Sequence, residues 1–145
     1  TRLTMNATGQ TTIVGEGGTN TTNLQQGLAK CWVNFNGTGT IATRDSFNES
    51  TLTDTDTGDY RVNFTSSMSS VNYTATTSGK ASESHARGGA HVGAFQVGNN
   101  YGNDTDAAYT AAYFRIGSAA ASSSSENGSI QDIDAIDLTI HGDLA

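Results

Sequence analysis

The chain has 145 residues, 34% hydrophobic and 14% charged, with a formal net charge of −7 at pH 7. That is enough for one domain with a thin core but not for two ordinary ones. An acidic balance without any Lys/Arg cluster argues against nucleic acid and anionic bilayers as partners, and no apolar run is long enough for a membrane-spanning helix, so no membrane insertion is expected.

Thr, Ser, Asn and Gly dominate the remainder, and proline is absent. Such a composition suits extended β proteins, in which backbone ladders and hydroxyl-bearing surfaces replace charged helices. Low hydrophobicity is also a mark of disorder, but several segments alternate cleanly between apolar and polar residues, which argues for order. A start at Thr1 suits a processed protein or a fragment. Residues 1–10 lack both the basic start and the apolar stretch of a signal peptide.

Residues 1–28 read as a polar connector with one short strand at Ile13-Val14, and residues 29–145 as a single β-sandwich domain. Within the connector, residues 24–28 suit one helical turn capped by Asn23. Residues 30–36 alternate: Cys31, Val33 and Phe35 share one face, Trp32, Asn34 and Asn36 the other. Asn36-Gly37 signals a hairpin, because both residues tolerate positive φ. Strands follow at 40–45 and 47–53, with a turn at 54–58. Residues 59–65 form the clearest strand, with Tyr60, Val62 and Phe64 opposite Arg61 and Asn63. Further extended pieces are expected at 73–78, 90–98 and 107–117, and loops at 79–89, 99–106 and 118–128. The last strand carries Ile136, Leu138 and Ile140 on one face. Ile133 has the opposite parity, so a bend or bulge is expected near Ala135. These seven to nine short strands with little or no helix predict an all-β, antiparallel, jelly-roll-like sandwich.

Few residues suggest chemistry. Cys31 is the single cysteine, which excludes an intrachain disulfide, and it reads as a small buried residue. His85 and His91 are five residues apart in SHARGGAHVG, which is poor metal-ligand spacing, and His141 is given no role. The run at 54–59, DTDTGD, departs from a calcium loop because glycine takes the fifth place and no bidentate glutamate follows. Asp132, Asp134 and Asp137 read as charges on strand faces and edges. No metal or other cofactor is implied, and no pair of carboxylates stands out as a catalytic acid and base. Sequons begin at Asn6, Asn20, Asn36, Asn48, Asn63, Asn72, Asn103 and Asn127, as expected from so much Asn, Ser and Thr.

Residues 15–73 resemble a module of structural proteins of tailed bacteriophages, especially the C-terminal domains of tail-fibre and receptor-binding proteins. The resemblance rests on GEGGTNTTNLQQGLAKCWVNF at 15–35, NGTGTIATRDSFN at 36–48 and TGDYRVNFTSSMSSVNY at 57–73. FRIG at 114–117 and the closing I-x-L-x-I-x-G at 136–142 extend it. It implies a non-enzymatic virion protein on a tail or head appendage, assembled as an oligomer, often a homotrimer, beside other virion proteins. One expectation is a receptor-binding domain whose loops touch a host-surface glycan or protein, with Tyr101, Asn103, Asp104 and Asp106 as ligand contacts. The alternative is a capsid decoration or head fibre with a purely structural role. Trp32, opposite Val33 and Phe35, is the expected subunit contact.

Overall fold

Period-two alternation sets which face of each strand turns inward, and long-range pairing then joins the strands. The computed structural model describes residues 3–14, 18–80, 90–93, 107, 109–120 and 129–145. The elements, in chain order, are β1 (Leu3–Met5), β2 (Thr11–Val14), β3 (Thr21–Asn23), α1 (Leu24–Gly27), β4 (Cys31–Asn36), β5 (Ala42–Phe47), β6 (Glu49–Asp56) and β7 (Asp59–Phe64). They continue with β8 (Thr74–Lys80), β9 (Ala90–Gly93), β10 (Tyr113–Ala120), β11 (Ser129–Ile130) and β12 (Ala135–His141).

Two antiparallel sheets form the expected all-β sandwich. One has four strands in the order β5-β4-β12-β8. The other has five: β11-β10-β7-β6, with β9 also paired to β10. Cys31, Val33 and Phe35 of β4 and Ile136, Leu138 and Ile140 of β12 point into the core from the first sheet. Tyr60, Val62 and Phe64 of β7 and Phe114 and Ile116 of β10 join them from the second, and all belong to one apolar cluster. Phe35 meets Tyr60 edge-on across the gap, with centroids 5.3 Å apart. Burying each such side chain contributes roughly 1.5–3 kcal/mol.

Several local readings are corrected by specific contacts. Asn36-Gly37 does not form a two-residue turn: β4 and β5 are joined by residues 37–41, and the positive φ falls at Gly39. Asn36 Oδ1 instead accepts from the Thr38 amide and hydroxyl, an Asx-turn. Gly37 matters for space. A Cβ there would come within 2.7 Å of the Tyr60 hydroxyl and 2.9 Å of the Ile133 carbonyl. The strand expected at 107–117 begins only at Tyr113, because the Thr110 hydroxyl accepts from the amides of Ala112 and Tyr113 and turns the chain. β10 then runs into the Ala/Ser segment expected to be a loop. Ser118 is buried there, its amide bonded to the Gly58 carbonyl and its hydroxyl to the Gln131 carbonyl. The expected bend is at Asp134, which lets Ile133 and Ile136 both reach the core.

Asn48, the corner between β5 and β6, is the one described non-glycine residue with positive φ, at 61°. Asparagine tolerates this conformation better than most residues. Its side chain binds the carbonyls of Lys30 and Ser66 and the Ser66 amide, so it ties the two sheets where the chain crosses between them.

The N-terminal segment holds three strands rather than one, in the order β1-β2-β3. Asn23 caps α1 by accepting from the Gln25 amide at 2.9 Å. Lys30 Nζ donates to the carbonyls of Gln25 and Leu28 at the other end, fastening the helical turn to the start of β4.

Candidate functional site

The outward side chains of the four-stranded sheet form two parallel rows. The first follows from direct register: Phe47 of β5, Trp32 of β4 and Thr139 and Thr76 of β12 and β8 lie in one line. Trp32 is 36% exposed and Phe47 51%, although Cys31 and Val33 on either side of Trp32 are buried. Strand alternation therefore places Trp32 outward, as the sequence implies, and pairing adds Phe47 directly opposite it.

The second row lies two residues along, about 6.7 Å away. Asn34 Nδ2 donates to Asp137 Oδ1 at 2.6 Å, and Ser78 Oγ donates to Asp137 Oδ2 at 3.0 Å. On the other side, Arg44 Nη1 reaches Asn34 Oδ1 at 3.4 Å and the Phe35 carbonyl at 3.1 Å, and Nη2 binds the Asp134 carbonyl. The polar row thus crosses all four strands, β5-β4-β12-β8. Arg44 is available because β5 bulges opposite Asn34 and Phe35, which inserts an extra residue. Asp45, paired in register with Asn34, is exposed beside it. Hydrogen bonds to both oxygens fix the Asp137 carboxylate, while each oxygen keeps acceptor capacity for a further donor.

Other polar groups are occupied in holding the fold. Asp132, read from sequence as an edge charge, accepts from the Gly58 amide at 2.7 Å and lies 2.7 Å from the Tyr60 hydroxyl, which also reaches the Gly37 carbonyl. Burial foremost, and Asp132 second, push the Tyr60 phenol well above its ordinary range. The hairpin between β6 and β7 turns at Gly58, φ 64°, against Ser118 and Ile130. Asp54 nearby is raised above the ordinary aspartate value, first by partial burial and then by Asp132, Asp56 and Asp59. Buried Cys31 has its thiol pushed up to about 12 by desolvation, with Glu49 adding, so it stays protonated and acts as a packing residue.

Of the residues singled out in the sequence, Trp32 lies on the platform. Tyr101, Asn103, Asp104 and Asp106, the expected ligand-contact loop, lie outside the described residues, as does His85. Asn36, Asn48 and Asn63 use their amides internally, Asn63 toward Thr51 and Thr53. Among the described residues, no group of three or more His, Cys, Asp or Glu side chains could hold a metal ion. The sequence reading missed Asn34, Asp137, Ser78 and Phe47. Outward parity was the available signal for Asn34 and Asp137, but their adjacency depends on β12 entering the sheet between β4 and β8.

No protein family, curated protein or solved structure matches the chain. The chemistry of the face rests on its own side chains: two exposed aromatics for stacking beside a held amide, carboxylate and hydroxyl.

Proposed function

We propose that the chain is a non-enzymatic surface module of a tailed-bacteriophage particle, oligomeric in its native state, that engages a host-surface ligand through the outer face of its four-stranded sheet. The supporting observation is the pairing of Trp32 and Phe47 in the open beside the hydrogen-bonded row of Arg44, Asn34, Asp137 and Ser78. Large rigid aromatics flanked by satisfied polar groups are what recognition surfaces use. The oligomer draws support from the N-terminal strands. Leu3 and Met5 are exposed there, Met5 at 72%, as are Leu24 and Leu28 of the adjoining turn. A three-stranded piece this short gains stability when copies cover such residues.

The alternative is a capsid decoration or head fibre in which Trp32 presses on a second copy. Phe47 favours it, since two aromatics side by side also suit a subunit contact. Light scattering of the native chain tests the main reading, with a trimer expected and a stable monomer against it. The mass of Trp32→Ala then separates the two: it stays unchanged if the face meets a ligand and falls if it meets another copy.

A further inference from the structure

We infer that this face is a platform for an uncharged oligosaccharide, with one pyranose ring lying on the Trp32 indole and its hydroxyl edge on the polar row. The inference rests on the recognition reading above and names its ligand class.

Three observations carry it. The first is spacing: the aromatic and polar rows are about 6.7 Å apart, so a sugar ring stacked on Trp32 brings its equatorial hydroxyls to Asn34 and Asp137. Strand spacing makes the platform about 14 Å wide, room for neighbouring rings to reach Phe47 on one side. The second is donor and acceptor type. A carboxylate held at both oxygens beside a primary amide can accept from one sugar hydroxyl and donate to the next, and neither side chain must be ordered on binding because Ser78 and Arg44 already hold them.

The third is charge. Asp137 and Asp45 face the ligand, whereas the Arg44 guanidinium is turned onto Asn34 and two backbone carbonyls. Arg44 and Lys80, exposed at the end of β8 on the same face, offset these two carboxylates, and the chain as a whole carries −7. The carboxylate of a uronate or sialic acid set on the polar row would face Asp137, a like charge. A protein partner needs a broader apolar centre than two aromatics amid threonines and acids. Hydroxyls without charge fit best.

Trp32 is the only tryptophan in the chain, so its fluorescence reports this face alone. The experiment titrates the native protein with hexamers of glucose, galactose, mannose and N-acetylglucosamine, and with hexagalacturonate, and follows light scattering in parallel. The expected result is a saturable fluorescence change with at least one neutral hexamer, at a Kd of about 10 μM to 1 mM, and none with the uronate. Asp137→Ala should weaken it at least about tenfold, since an unpaired sugar hydroxyl and Asn34 are left behind. No response to any neutral hexamer at 10-fold above that range (about 10 mM) overturns the inference. So does calorimetric binding that persists unchanged in Trp32→Ala, which would move recognition off this sheet face while keeping a receptor-binding role for another part of the chain. A fluorescence change that follows protein concentration and rising mass without sugar also overturns it, and then a second copy covers the face. Thermal unfolding of each variant confirms that the fold is retained.

Discussion

The two outer faces of the sandwich are built from the same alternation yet differ in burial. On the four-stranded sheet, Trp32 and Phe47 stay in the open and the polar row is partly accessible. On the five-stranded sheet, Arg115 is only 2% exposed and Asp59 is buried with it. Arg115 Nε donates to both Asp59 oxygens, at 2.8 and 3.1 Å, and Nη2 completes a forked pair. Beside it, the Arg61 guanidinium stacks 4.4 Å from the centre of the Tyr113 ring. Where that face is covered, at Asp59 and Arg115, each charge must be matched with a partner, because an uncompensated buried ion costs several kcal/mol. The open face is free of that demand and can hold groups ready for an incoming molecule.

The largest expected effect tests the buried ion pair. Arg115→Ala strands Asp59 and should lower stability by about 3–5 kcal/mol in urea unfolding. Replacing both with apolar residues of similar size, Asp59→Leu with Arg115→Met, should recover most of that loss. If the single change costs less than about 1 kcal/mol, the pair is not shielded from solvent as described. Arg61→Ala should cost roughly 0.5–1 kcal/mol through the lost stacking on Tyr113. On the open face, Trp32→Ala should change stability by less than about 1 kcal/mol, within the range of surface substitutions. A larger loss would mean that Trp32 packs inward.

The smallest effect lies on the rim, at Asp54. Its folded-state pKa is raised, so its ionised form is disfavoured in the folded chain and costs stability at neutral pH. That cost disappears as the pH falls through the folded pKa, where the carboxyl takes up its proton. Asp54→Asn should therefore raise Tm slightly at pH 7, by under about 2 °C, and leave it unchanged near pH 3. An equal gain at both pH values would exclude the electrostatic cause.

Much of the fold is legible in the sequence because it depends on local rules. Alternation assigns the inward residues of β4, β7 and β12, Asn23 announces α1, and the parity break between Ile133 and Ile136 announces the bend at Asp134. Where a local rule fails, a long-range contact replaces it. Gly37 is pressed against Tyr60 and Ile133, so the chain takes a wider turn than Asn-Gly suggests. Ser118 and Ala119 look like loop residues by composition, yet the pairing of β10 with β9 and β11 makes them strand.

By itself the sequence determined an antiparallel β protein, the side of each main strand that is buried, and the outward position of Trp32, because a period of two is written in neighbouring residues. Only the tertiary structure decided which outward residues meet. Asn34 and Asp137 are 103 residues apart, Ser78 and Asp137 59 apart, and Arg115 and Asp59 56 apart. Strand order comes from nonlocal pairing that no short window contains. It alone turned separate acids, amides and aromatics into a covered ion pair on one face and an open platform on the other.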